Sequence, residues 1–438
     1  MSSRIFTQRR QKLLDQLPDR ALVILPAARE VIRSRDTEYP FRQASDFWYL
    51  TGCQEPEALL VMQKGRSQGE SLLFVLPKDP AIEVWTGIRL GPEGAVEKLA
   101  MDQALDLNQA DACLVDLLGE ASEVWLPIDD ADLYQRYLGW RQAVVKQRKR
   151  SACLPDKHID LAAYLAEQRL IKSAAEIDLL TQAASISAAG HLRALRACRP
   201  GMKEYQLQAE LEHEFAVQGA AAPAYSSIVG GGANACILHY IANQDELKAG
   251  DLVLIDAGAE YQGYAGDITR TFPVNGRFTP AQKQLYEVVL RANEAAIEQV
   301  QPGVSLESLH LTAVKQLVEG LVDLGILQGE VDRLVEDEAY KPFYMHGTGH
   351  WLGLDVHDVG RYRLEGEARP LQAGMVFTIE PGLYFAPDNL AIDECWRGIG
   401  IRIEDDVLVT EQGCEVLSHA VPKRISDLEA LMNEGRFA

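Results

Sequence analysis

Basic residues are scarce for a chain of this length. Lys and Arg number 43 against 64 Asp and Glu in 438 residues, a formal net charge of -21. That balance argues against a nucleic-acid or anionic-membrane partner, because either needs a basic surface. The one basic stretch, Lys146 to Arg150, reads as a solvated loop or helix end. Cysteines are few and scattered: Cys53, Cys113, Cys153, Cys198, Cys236, Cys395 and Cys414. Their number is odd and no two form a CxxC pair, so neither a disulfide framework nor a thiolate zinc site is signalled. A reducing cytoplasm fits. No apolar run is long enough to span a bilayer. The first residues, MSSRIFTQRRQKLLDQL, lack the apolar centre of a signal peptide. They read instead as an amphipathic helix with Ile5, Leu13, Leu14 and Leu17 on one face. What is present, 47% apolar and 24% charged residues, describes a soluble globular protein of two domains.

Over roughly the first 170 residues, short apolar strands alternate with helix-like stretches. ALVILP, ALLVMQK, SLLFVLPK and EVWLPI are the strands; residues 93–103 and 132–147 carry helical patterns. That alternation predicts an α/β domain. EYPFRQASDFWYLTG concentrates aromatics, and Trp48 and Trp85 read as core or interface residues. At Ser173 the texture changes. SAAE is a capping box opening a long helix that stops at Arg199-Pro200-Gly201, and a second helix follows over about 204–218. A Gly-rich loop (230–232), then ILHYIAN, lead to DLVLIDAGAEYQGYAGDITRTFP. This reads as a hairpin about Gly263 that sets Asp256 almost opposite Asp267. The plan then repeats. Thr279-Pro280-Ala281-Gln282 opens a helix that stops at Gln301-Pro302-Gly303, and another helix spans about 305–324. HGTGHWLGLDVHD follows, and then a second hairpin, MVFTIEPGLYF with GIGIRIEDDVLVT, carrying Glu380 and Glu404. The predicted region is two related halves facing each other, a curved antiparallel sheet with helices outside, closed by a C-terminal helix in DLEALMNE.

Like charges facing each other on paired strands are destabilising, and burying them requires a neutralising cation. Four carboxylates on two hairpins, with histidines between them, therefore form a candidate dinuclear metal site. Its oxygen-rich donors suit Mn²⁺, with Co²⁺ or Zn²⁺ as alternatives. Two such ions hold and acidify a water between them and polarise a carbonyl. His346, His350 and His357 lie close together among glycines, which rule against the helix of an HExxH motif. With His239 they are the functional histidine candidates. His158, His191, His213, His310 and His419 lie on helical or terminal stretches and read as structural or surface residues. Arg402 lies two residues before Glu404, so a strand places both on one face. It orients the carboxylates, meets a substrate carboxylate or forms a plain salt bridge.

These motifs resemble those of the pita-bread metallopeptidases, the group of methionine aminopeptidase, prolidase, aminopeptidase P and creatinase. The resemblance rests on DAGAEYQGYAGDITRTFP, HGTGHWLGLDVHDVG, TIEPGLY and GIRIEDD, within residues 173–438. It implies five metal ligands: Asp256, Asp267, His350, Glu380 and Glu404. Glu380 would also be general base toward the bridging water. His239 and His357 would bind substrate or pass a proton to the departing proline nitrogen, and His346 would line the proline side. Tyr384 and Arg402 would contact substrate or the ligands. Residues 1–172, with EYPFRQASDFWYLTG and EPEALLV, resemble the creatinase-type domain of bacterial aminopeptidase P. The implied activity is removal of the first residue from peptides whose second residue is proline, in a homo-oligomer, dimer or tetramer. The N-terminal domain would reach a neighbouring subunit's site, with Asp36 and Trp85 as candidate contacts. Thr348 stands where relatives often carry a larger apolar residue. The alternative within the family is a prolidase cleaving Xaa-Pro dipeptides, for which Arg369 or Arg402 would clamp the free carboxylate. A metal-free binding protein and a creatinase-type hydrolase share the fold, but the five intact ligand types speak against both.

Overall fold

The ALVILP run, Ala21–Pro26, is buried along nearly its whole length. An apolar strand with no solvent face belongs at the centre of a sheet covered on both sides. In the computed structural model, which describes residues 3–434, it pairs antiparallel with Leu59–Gln63 and parallel with Glu123–Leu126. Ser71–Val75, Gln103–Asp106 and His158–Asp160 complete a six-stranded mixed sheet. The helices Ala110–Leu118 and Ala131–Arg148 supply Leu114, Leu118, Tyr137 and Trp140 to its core. The amphipathic reading of the first residues holds: Ser3–Gln16 is a helix with Leu13 and Leu14 buried. These elements form one compact unit, Met1–Ala166, and Glu167–Ala438 forms a second.

In the second unit the capping boxes act as the sequence indicates. Ser173 and Glu176 open the helix Ala174–Ala197, and Thr279 and Gln282 open Pro280–Glu298. Each is followed by a second helix, Glu204–Val217 and Leu306–Asp323. Each helix pair backs a three-stranded sheet. One joins Ile228–Gly231, Leu252–Asp256 and Thr269–Pro273; the other joins Val376–Ile379, Asp405–Thr410 and Gly413–Val416. A single apolar core runs through both halves.

Neither hairpin is continuous, and each opens at its acids. Leu252–Asp256 pairs with Thr269–Pro273, and Asp256 stands opposite Thr269, not opposite Asp267 as expected. The chain then crosses to a small sheet of Ala222–Pro223, Ala259–Tyr261 and Tyr264–Ala265. A Cβ on Gly258 would lie 1.6 Å from the Gly266 carbonyl oxygen, so only glycine permits that crossing. In the second hairpin Val376–Ile379 pairs with Asp405–Thr410, and Gly382–Phe385 pairs separately with Ile399–Arg402. Glu380 and Glu404 fall in the gap between the two ladders. Among the described residues, no helix is long and apolar enough to cross a membrane. Among the described residues no disulfide joins any of the seven cysteines.

Candidate metal centre and catalytic cavity

The two opened hairpins bring their acids to one wall of a cavity of about 500 Å³ in the second unit. Asp256, Asp267, Glu380 and Glu404 line it together with His239, His346, His350 and His357. Ile228, Leu238, Ile241 and Val356 supply an apolar side.

His350 reaches the acids because its segment behaves as a further strand. Glu380 N–H donates to the Thr348 carbonyl (2.7 Å), Thr378 N–H to that of His350 (2.9 Å) and Leu352 N–H to that of Val376 (3.0 Å). Residues 348–352 thus sit on the edge of Val376–Ile379 as Ile228–Gly231 sits on Leu252–Asp256. His350 Nδ1 bonds the Trp351 carbonyl at 3.0 Å. This turns Nε2 toward Asp267 Oδ2 (3.3 Å) and Glu380 Oε1 (3.6 Å). Asp267, His350 and Glu404 each offer a ligand atom within 4.8 Å of the others.

The electrostatics are those of an acid cluster in need of a cation. Burial lifts the Glu380 carboxyl to about 7, although His350 and Arg402 pull it down. Burial also holds Glu404 well above the carboxylate range, and Asp267 and Glu380 add to the effect. His350 would be lowered by burial, yet Asp267 and Glu380 raise it to about 9. By contrast, burial beside the Arg402 guanidinium lowers His346 to about 4. It therefore stays neutral and bonds Tyr384 through Nε2 at 2.8 Å. Carboxylates that draw a proton onto an imidazole would equally be balanced by a divalent ion, and one imidazole with several carboxylate oxygens is a donor set such ions accept.

The remaining candidates divide. His239 and His357 line the cavity, with the His357 ring 4.2 Å from that of His350. Tyr384 does not line it; at 2% exposure it stands behind His346 and accepts from Arg402 Nη1 at 3.0 Å. Arg402 meets Asp256 rather than Glu404, at 2.5 Å. Arg369 does not reach the cavity, contrary to expectation. Its guanidinium is held by both carboxylate oxygens of Glu167, at 3.0 and 2.5 Å, and by the Arg361 carbonyl. Asp36 lies between the short strands Ile32–Ser34 and Thr37–Glu38, and Trp85 is 87% exposed on the helix Pro80–Thr86, both in the first unit. Trp85 is therefore not a core residue, whereas Trp48 is buried.

Two groups at the centre escape the motif reading. Tyr225 places its hydroxyl 2.6 Å from Asp256 Oδ1 and 2.5 Å from Asp267 Oδ1. Thr269 donates to Glu404 Oε2 at 2.6 Å and accepts from Arg402 Nε at 3.2 Å. Thr269 was within reach of strand alternation, since it lies two residues past Asp267 on the same face. Nothing local marks Tyr225.

Comparison with known proteins accords with this geometry. Residues 178–411 match the model of metallopeptidase family M24, and residues 6–125 match the aminopeptidase P N-terminal domain. The Xaa-Pro aminopeptidase of Escherichia coli K12 is 47% identical over 100% of this chain and 99% of its own. A solved aminopeptidase PepP of Pseudomonas aeruginosa superposes with a TM-score of 0.99 at 47% identity, covering 100% of this chain and 99% of that one. A zinc-substituted E. coli aminopeptidase P in complex with product superposes at 0.97 and 47% identity, covering 100% and 99%. The pita-bread arrangement of the second unit and the creatinase-type character of the first are thereby established. The chain belongs to metallopeptidase family M24, with an aminopeptidase P N-terminal domain preceding the peptidase domain.

Proposed function

We infer that the protein is an Xaa-Pro aminopeptidase, a hydrolase that removes the residue preceding a proline from the N-terminus of peptides. The observation that carries this reading is convergence. Five residues of the metal-ligand types come from separate segments to one wall of a cavity that three further histidines complete. Relatives of that name match the whole chain. We assign Asp256, Asp267, His350, Glu380 and Glu404 as ligands of two divalent ions. Oxygen donors predominate in that set, which favours Mn²⁺. When bound, such a pair lowers the pKa of a water and polarises a carbonyl.

The chain's own groups then divide the work. Glu380, which lines the cavity beside His350, would accept a proton from that water. His357 and His239 face the cavity, and among the described residues no carboxylate bonds either; they hydrogen-bond the substrate or deliver the proton to the departing proline nitrogen. His346, neutral and fixed by Tyr384, lines the proline side. An Xaa-Pro bond carries no N–H and its geometry is restricted, so it needs a site that recognises shape rather than an amide donor. Ile228, Leu238, Ile241 and Val356 provide apolar walls for one.

The prolidase reading needs a cation to clamp a free carboxylate. Arg369 is taken by Glu167 and Arg402 by Asp256, which favours the aminopeptidase. The boundary at 172/173, the reducing cytoplasm and the homo-oligomer remain parts of the same reading. They are supported by the Ser173 cap, by seven cysteines that form no disulfide among the described residues and by the exposed Val84, Trp85 and Ile88 of the first unit. In such an oligomer Asp36 and Trp85 restrict a neighbour's site to free peptide ends. The test is a panel of Xaa-Pro-Yaa, Xaa-Pro and Xaa-Ala peptides with added Mn²⁺. Release of the first residue from Xaa-Pro-Yaa is expected; cleavage of dipeptides alone would replace the reading with prolidase.

A further inference from the structure

We propose that Lys172 is a positioning residue for His357, acting through a buried ion cluster with Asp358 and Arg169. The inference rests on the aminopeptidase reading and adds to it a residue outside the cavity. Asp358 follows His357 directly and turns away from the cavity. Its Oδ2 accepts from Lys172 Nζ at 3.0 Å and its Oδ1 from Arg169 Nη2 at 2.5 Å. The three side chains are 1%, 1% and 3% exposed in the order Lys172, Asp358, Arg169. Arg169 also holds Asp355 at 2.7 Å, at the edge of the same loop.

A carboxylate gripped on both oxygens by separate cations has no free rotation. The backbone is tied as well. Asp358 N–H donates to the Trp351 carbonyl at 2.8 Å, and His350 Nδ1 bonds that same carbonyl at 3.0 Å. Residues 351–358 thus close into a loop whose two ends carry the paired rings of His350 and His357. The loop is wrapped so closely on the cluster that a Cβ on Gly353 would lie 2.1 Å from Asp358 Oδ2 and 3.2 Å from Lys172 Cε. Residue 357 is therefore held from the side facing away from the substrate. Packing alone would be served as well by apolar residues, which commonly match or exceed a buried ion pair in stability. Two cations on one carboxylate add a fixed orientation.

The experiment is a double-mutant cycle between Lys172→Met and His357→Ala on an Xaa-Pro-Yaa peptide, preceded by the wild-type rate. Lys172→Met leaves Arg169 on Asp358, and kcat is expected to fall about tenfold with KM within about twofold. On the His357→Ala background the same change is expected to cost less than about twofold. Lys172→Arg, which restores the cation, recovers most of the lost kcat. Equal factors on both backgrounds, or a KM effect without a kcat effect, overturn the proposal. If circular dichroism shows Lys172→Met unfolded, Arg169→Gln, which leaves Lys172 on Asp358, takes its place in the cycle. A kcat loss that shrinks on the His357→Ala background then supports the proposal, and equal factors overturn it. A wild type that does not cleave the peptide overturns the aminopeptidase reading and this inference together. A cleaving wild type with an additive cycle overturns this inference alone.

Discussion

Tyr225 offers its hydroxyl to two carboxylates that come from either side of an opened hairpin. A phenol carries one proton, so of its contacts to Asp256 and Asp267 only one is donated at a time. Burial and those two carboxylates hold the phenol well above its usual pKa, so it carries that proton at neutral pH. It can therefore orient the acids without adding a negative charge. If Asp256 and Asp267 hold metal as proposed, removing such a partner from behind them typically costs about 10–100-fold in metal affinity or activity. Tyr225→Phe is accordingly expected to weaken divalent-metal binding by roughly that factor with little change in folding, measured by calorimetric titration. Unchanged affinity would remove Tyr225 from the metal centre. At this scale the sequence was informative where residues repeat a known pattern. The four acids and the imidazole lie in motifs, whereas Tyr225 lies 31 and 42 residues from the groups it touches and has no motif of its own.

The openings in the hairpins leave carbonyls without ladder partners, and buried carbonyls need donors. Each half supplies one from its first helix. Asn293 on Pro280–Glu298 is fully buried and donates Nδ2 to the carbonyls of Ile379 (3.0 Å) and Ile403 (3.3 Å), the residues before Glu380 and Glu404. His191 on Ala174–Ala197, equally buried, bonds the carbonyl of Ala257, the residue after Asp256, at 3.0 Å. The structural reading of His191 therefore stands, and its purpose is to let the hairpin open where the acids lie. Asn293→Leu should cost roughly 1–3 kcal/mol for each carbonyl left unpaired and reduce turnover as well, measured by urea unfolding and peptide hydrolysis. Full activity at reduced stability would separate the helix from the site. Helix starts were legible because caps are local, within a span of four residues. The division of residues 375–385 was not, although Pro381, which has no N–H to give a ladder, marks it. Alternation alone suggests one unbroken strand, and the bond from Asn293 that favours the opening comes from a helix far away in sequence.

The two halves of the second unit were legible as a repeat, since helix, stop, helix and acid-bearing hairpin occur twice. Part of what joins them was not, because beside the shared apolar core the join uses charges that read as ordinary strand and tail residues. Arg270, in the strand after Asp267, is fully buried and donates Nη2 to Asp405 Oδ1 at 2.7 Å and to the Val421 carbonyl at 3.0 Å. Lys423 holds the other oxygen of Asp405 at 2.7 Å, and Ser418 adds a further bond. First half, second half and the approach to the closing helix Ile425–Glu434 thus meet on one carboxylate, next to Glu404. Burial alone would raise Asp405, but Arg270 and Lys423 hold it below the ordinary carboxylate range. A group whose pKa is lower folded than unfolded binds fewer protons in the native state, so it stabilises the fold above its unfolded pKa. That contribution is lost as pH falls from about 4 toward the depressed folded value. Asp405→Asn leaves Arg270 and Lys423 facing a neutral amide, and breaking a buried pair in this way costs about 3–5 kcal/mol. The expected outcome is a stability gap between wild type and Asp405→Asn that is constant from neutral pH down to about 5 and narrows below about 4, followed by urea midpoints across that range. A gap that held its size into strong acid would mean that Asp405 joins the halves by shape and not by charge.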